Sequence, residues 1–357
     1  MFKTLRRALL PALVLVLLFC TPQASMQGVR DGLSLWANAV LPALLPFYVV
    51  TKLLLQSGTD ALLRPLLRPV CRLLGLPDAL GGLLFMSWLS GAPNGARLLS
   101  QSCSDKAICT RFIACATVTG PLFLIGTVGQ LLGSPLLGAM IYAIHLLAAL
   151  CTGFCFRKYG SPSASAFPAD TAPSVSVLSA LPEALRSCAL AMLFIGAAIT
   201  FFSALTQSLC SLGLLSALQR ILQPIFPADA VSSLFSGFFE VSQGAVCAAQ
   251  GRLSLPLRLS LLCAFASFGG ISVLCQAKVF LQQRVRTGIY FAQRVLHAVL
   301  SFFLCRGLCL LMSSALPAGF FHPAQVFMLP THPFALPAAA LCLLLPLLPV
   351  HSMTKDR

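Results

Sequence analysis

The chain has 357 residues, 58% of them hydrophobic and only 9% charged, with a mean hydropathy of +0.90. Soluble domains carry charge on about a quarter of their residues, so this composition excludes one and predicts an all-α, polytopic helical membrane protein. The net charge of +15 comes from basic residues scattered between apolar runs, which fits cytoplasmic loops and argues against nucleic acid as a partner.

In chain order, residues 1–26 are expected to be a first transmembrane span or a signal-like segment. Lys3, Arg6 and Arg7 precede an apolar run from Ala8 to Cys20. Cleavage at Ala24-Ser25 would put Pro22 where a small residue is wanted, so an uncleaved span with a cytoplasmic N-terminus is preferred. A first repeat then covers 27–156. Leu33–Leu55 is long enough to cross a bilayer, and Pro42 and Pro46 predict a kink. Arg64, Arg68 and Arg72 follow four apart among leucines, which places them on one face of an amphipathic helix at the membrane surface. Ala79–Ser100 is apolar but interrupted at Ser90-Gly91-Ala92-Pro93-Asn94-Gly95-Ala96. Ala107–Leu132 is interrupted at Thr117-Val118-Thr119-Gly120-Pro121, and Leu136–Phe156 is an unbroken span.

Residues 157–182, rich in Ser, Pro and Ala, are expected to be a polar linker. The second repeat, 183–300, has the same order of elements: a span at Cys188–Leu212, a short interfacial piece at Leu214–Phe226, and two broken segments. Ala230–Gln250 is expected to break around Ser236-Gly237 and Gly244, and Leu259–Phe280 around Ser267 to Ser272. Lys278, Arg284, Arg286 and Arg294 form a basic, cytoplasmic stretch, and Tyr290–Met312 is a span. Residues 301–357 end in a loop carrying His322 and His332 and a last span at Phe334–Val350.

Two broken apolar segments in corresponding positions of two halves predict inverted-topology repeats, with broken or re-entrant helices around a site near the bilayer midplane. Between Asp229 and Arg252 the only charged residue is Glu240. An acid at the centre of a spanning helix costs about 2.5–3.5 kcal/mol on insertion scales, so it is expected to face a cavity. The expected substrate-binding residues are Ser90, Gly91, Asn94, Gly95 and Arg97 from the first break, and Thr119 and Gly120 from the second. The third break gives Ser236, Gly237, Glu240, Ser242 and Gln243, and the fourth Gly269, Gly270 and Ser272. Freed N–H groups at half-helix N-termini suit an anion, and freed carbonyls suit a cation. Asn94, Thr119, Ser242, Gln243, Ser272 and Gln276 would add directional hydrogen bonds. Glu240 would hold a coupling H+ or Na+, or pair with Arg97.

No nucleophile–base grouping and no Walker loop is visible, so neither catalysis nor ATP use is expected, and no cofactor beyond the coupling ion. His145 and His297 stand alone within apolar spans, where a structural hydrogen bond is the expected role. Most of the fifteen cysteines sit in apolar runs, where Cys behaves as a small hydrophobe. Cys151/Cys155 and Cys305/Cys309 lie one helical turn apart with no His nearby in sequence, so no metal site is expected.

Five stretches in order resemble the YlbJ-type sporulation integral membrane proteins, within the wider nucleoside-recognition (gate) domain group. They are Leu41-Pro42-Ala43-Leu44-Leu45-Pro46-Phe47, Ser90 to Arg97, Gly120-Pro121-Leu122-Phe123-Leu124-Ile125-Gly126, Ser236-Gly237-Phe238-Phe239-Glu240 with Gly244, and Phe268-Gly269-Gly270-Ile271-Ser272-Val273. The similarity runs from about residue 30 to residue 300 and makes the two repeats gate-like. The sequence departs from the family pattern at Ala92, where an aromatic is favoured, and at Gly120, often Asn. The resemblance implies a multi-pass protein of endospore-forming bacteria in the mother-cell-derived outer forespore membrane. It also implies a secondary transporter or facilitator of a small organic anion, dipicolinic acid, and Arg97 would suit that planar dianion. A nucleoside-like solute is the alternative ligand, because the group resembles concentrative nucleoside carriers in layout. A non-transporting scaffold in spore assembly is the alternative role. The expected partners are the lipid bilayer, with a homo-oligomer or other sporulation membrane proteins left open.

Overall fold

A computed structural model describes residues 2–161 and 176–315. Helix α1 (Phe2–Cys20) is followed after Thr21 by α2 (Pro22–Leu35), a π-helical turn at Trp36–Val40, and α3 (Leu41–Gln56). The apolar part of α1, Ala8–Cys20, is shorter than a span, whereas Pro22–Gln56 is long and apolar enough to cross a bilayer. The expected division at 26/27 therefore falls inside α2. Pro42 and Pro46 lie in or beside the first turns of α3. The wide turn just before them absorbs the hydrogen bonds that proline cannot make.

Helix α4 (Asp60–Leu73) carries Arg64, Arg68 and Arg72 and turns by 120° into the stretch Asp78–Ser90. Its Leu67 and Cys71 are buried while Leu62 and Leu66 are exposed, and Arg68 meets Asp78 at 2.6 Å. That is the amphipathic helix the arginine spacing predicts. Next come α5 (Gly81–Ser90), α6 (Asn94–Ser102), α7 (Lys106–Ala116), a π-helical segment Leu122–Val128, the short α8 (Gly129–Leu131), and α9 (Pro135–Phe156). The interruptions expected at 90–96 and 117–121 are both present.

Helix α10 (Val177–Ser211) starts within the expected linker, because Ser176 caps its first turn and Pro182 sits early enough to be tolerated. Of that linker, residues 162–175 lie outside the described part. α10 packs along α2 through small residues. A β-carbon on Gly28 would lie 2.6 Å from Ala204 Cα, and one on Gly196 would enter the Trp36 ring. Then follow α11 (Leu214–Leu222), α12 (Ala228–Phe239), α13 (Val241–Gln250), α14 (Leu255–Phe268), α15 (Gly270–Leu281) and α16 (Thr287–Ala315). The expected loop at Ser313–Pro333 begins as helix, and the expected last span Phe334–Val350 lies outside the described residues.

Among the described residues five helical stretches are long and apolar enough to cross a membrane: Pro22–Gln56, Pro135–Phe156, Val177–Ser211, Leu255–Leu281 and Thr287–Met312. A sixth results if the bent pair around Pro77 counts as one span. The protein is a polytopic, all-helical membrane protein. Its core joins α3, α9, α10, α14 and α16, and free thiols such as Cys188, Cys263 and Cys305 pack there as small apolar groups.

Candidate functional site

Helices α12 and α13 do not continue one another. Asp229 Oδ2 accepts the Arg252 backbone N–H at 2.6 Å, and the Cys247 thiol lies 3.7 Å from the Ser236 hydroxyl. A β-carbon on Gly244 would fall 2.3 Å from Gly237 Cα. Those pairs nest around position 240, so the segment is a helical hairpin with both ends together and Glu240 at its tip. The sequence predicted a break near Ser236-Gly237 and Gly244. The break is instead at Glu240, whose backbone is extended, and the two glycines let the arms of the hairpin touch.

At the tip Glu240 caps its own helix. Its Oε2 accepts the Gln243 N–H at 2.9 Å, and Ser242 also hydrogen-bonds to it. A carboxylate there satisfies free N–H groups and lies favourably in the field of α13. The N-terminus of α13 is thus occupied by the chain's own acid and not left open for a passenger. The expected pairing of Glu240 with Arg97 is not present: Arg97 points from α6 to the Ser187 hydroxyl on α10.

In the first half α5 and α6 also turn back on each other, with Gly95 packed on Ser87 across the break. Here Gly91 abuts Gly120 of the next break, and the Ala92 N–H donates to Val118 O at 2.6 Å. In the second half Gly270 abuts Glu240 in the same way, while α14 and α15 pass through their break without reversing. Gly269 ends α14 with φ +83°, a backbone state that side chains strain to adopt. The Thr119 hydroxyl then ties the halves by donating to Ala266 O at 2.8 Å.

Behind the breaks lies a buried polar network centred on α16. The Thr119 N–H donates to His145 Nε2 at 2.8 Å, which leaves the proton on Nδ1, 2.7 Å from the Ser267 hydroxyl. Ser267 in turn bonds Ser301. His297 stacks on His145 at 4.7 Å and donates from Nε2 to His145 O at 2.9 Å. The His297 Nδ1 accepts from Arg294 at 3.2 Å. Both histidines therefore have structural hydrogen-bonding roles, and neither ring nitrogen of His145 is free to act as a base. Arg294 is 1% exposed and also donates to Thr117 O, Ala114 O at 3.1 Å and Ser267 O at 3.4 Å, while its Nε–H has no acceptor.

These elements line a partly open cavity of about 50 Å3, bordered by Thr117, Thr119, Glu240, Ser242, Gln276 and Arg294, with Phe123 and Phe268 among its apolar walls. At roughly 10–15 Å3 per water that is room for a few waters, a small ion or one carboxylate group. Of the expected site residues, Thr119, Gly120, Glu240, Ser242 and Gly269 line it. The others stand one layer back. Ser90 donates to Met86 O, the Asn94 backbone N–H donates to the Tyr48 hydroxyl oxygen, and Gln243 reaches Ser203. Ser272 accepts from Gln276 Nε2 at 3.0 Å, and Ser236, Gly237, Gly91, Gly95 and Gly270 make helix-to-helix contacts. Arg97 is remote from the cavity lining.

Among the polar lining residues, Thr117, Ser267 and Arg294 were not expected at the site from sequence. Arg294 sits at the end of the basic stretch and is easily assigned to a loop. The signal was periodicity: Tyr290, Gln293, Arg294, His297, Ser301 and Cys305 fall on one helix face, and all are buried. The opposite face, with Phe291, Val295, Val299 and Phe303, is exposed as a lipid-facing surface would be.

The chain is 28% identical over 312 residues, covering 78% of its own length and 76% of the relative's, to the sporulation integral membrane protein YlbJ of Bacillus subtilis (strain 168). No family model and no solved structure matches it. The similarity to that relative supports a YlbJ-type assignment, as the five stretches implied.

Proposed function

We propose, starting from this YlbJ-type assignment, that the protein is a sporulation membrane protein that moves a small organic anion, dipicolinic acid, across the outer forespore membrane. It works as a secondary transporter or facilitator without a catalytic step. The two halves are inverted copies that rock about the central cavity and open it to each side in turn. The observation that carries this reading is that all four chain breaks, two from each half, converge on one cavity bordered by an acid at the tip of a helical hairpin. A planar aromatic dianion is larger than this cavity, so its passage requires the halves to part. Glu240 is the candidate carrier of a coupling H+ or Na+, since it is the one acid bordering the cavity.

A nucleoside-like solute is the second reading, favoured by the same Glu240: a carboxylate beside amide and hydroxyl groups suits a neutral polar ligand better than a dianion. The test is flux into liposomes holding the purified full chain. Dipicolinate enters, and Glu240→Gln and Thr119→Ala each slow it by about tenfold or more, as expected for losing a contact worth roughly 1.4 kcal/mol. Uptake of nucleosides but not dipicolinate would favour the second reading, and movement of neither would leave the scaffold role.

A further inference from the structure

We infer that Arg294 is the counter-charge for the passenger's carboxylate and that Gln276 is its second donor, so the site takes an organic carboxylate against these two side chains. This assignment rests on the transport reading and names the chemistry of the same cavity. Arg294 remains charged under all ordinary conditions, and every acceptor it has is neutral: three backbone carbonyls and a histidine nitrogen. Among the described residues no carboxylate lies within ion-pair distance of it. A fully buried cation without an anion is costly, and carbonyl dipoles offset only part of that cost. Glu240 does not fill the role, because its carboxylate is turned onto the N–H groups of α13.

Arg294 and Gln276 both line the cavity, and each carries an unsatisfied polar atom: the Nε–H of Arg294 has no acceptor, and the Oε1 of Gln276, 2% exposed, has no donor. A half-turn of the Gln276 amide lets its oxygen accept from the Ser272 hydroxyl and frees its NH2 group as a donor. The guanidinium and the amide then belong to two residues lining one cavity, whose walls also include Phe123 and Phe268. A carboxylate attached to a flat ring satisfies both donors and places the ring against the aromatic walls.

The test is equilibrium binding and thermal stabilisation of the full chain in detergent. The probes are pyridine-2-carboxylate, pyridine-2,6-dicarboxylate, the matching uncharged carboxamides, and chloride. The carboxylates bind at least about tenfold more tightly than the carboxamides. Gln276→Glu supplies Arg294 with a built-in anion, so it keeps or raises the melting temperature and lowers carboxylate affinity by about tenfold or more. Arg294→Lys retains weakened preference for carboxylates. Equal binding of carboxylates and carboxamides by the wild-type chain overturns the assignment, as does wild-type carboxylate affinity in a folded Gln276→Glu chain. Chloride competing as well as the carboxylates also overturns it, and this arm, like the carboxamide arm, needs no variant to fold. If the carboxylates bind through Arg294 but none crosses a liposome membrane, the transport reading fails and the anion site stands.

Discussion

Glu240 shows how one side chain can be legible in kind and not in role. Its isolation in an apolar segment predicted a special position, because bilayer burial of an acid is too costly to be incidental. The sequence could not say that the carboxylate would cap its own half-helix, since that depends on where the chain turns. Gly237 and Gly244 were expected to be the turn. They are instead where two helices meet, and the physical demand there is for the absence of a β-carbon. Gly244→Val therefore forces the hairpin arms apart. It is expected to cost about 1–3 kcal/mol or more of overpacking, seen as a lower melting temperature in detergent than the wild-type chain. An unchanged melting temperature would show that the arms do not touch there.

At the level of elements, the broken segments are not equivalent. The α12–α13 segment folds back on itself, whereas α14–α15 continues through its break without reversing. Apolar length and a cluster of Gly and Ser are the same in both, so pattern alone could not separate them. The extended backbone at Glu240 reverses the chain, while the left-handed Gly269 only interrupts it. Ser236→Cys offers a direct check. In the hairpin its thiol lies beside native Cys247, so mild oxidation joins peptides containing these two positions. In a straight helix eleven residues would separate them by about 16 Å and no such crosslink would form. Mass spectrometry of the digested protein reads the result.

Considering the whole molecule, a re-entrant hairpin and a spanning helix give opposite topologies. Ala228 and Arg252 flank the hairpin and are both exposed. In a chain whose other exposed cysteines are replaced, Ala228→Cys and Arg252→Cys are expected to react with a membrane-impermeant maleimide from the same side. Labelling from opposite sides would make the segment a span and rule out the hairpin. The same scale explains the buried face of α16. Arg294 and His297 point inward to hold backbone groups of the first half, among them Thr117 O and His145 O, while Ser301 holds the Ser267 hydroxyl. A helix whose polar side faces the core and whose phenylalanines face outward has the polarity of a membrane protein, inverted from that of a soluble one.

The sequence by itself determined the membrane class, the helical fold, four interruptions and the one acid worth following. Those are set by local quantities: apolar run length, charge content, and residues that cannot continue a helix. Only the tertiary structure decided which break reverses the chain, that Arg97 faces Ser187, and that Arg294 from α16 borders the same cavity as Glu240 from α13. Those depend on contacts between segments far apart in the chain, and no run of neighbouring residues carries that information.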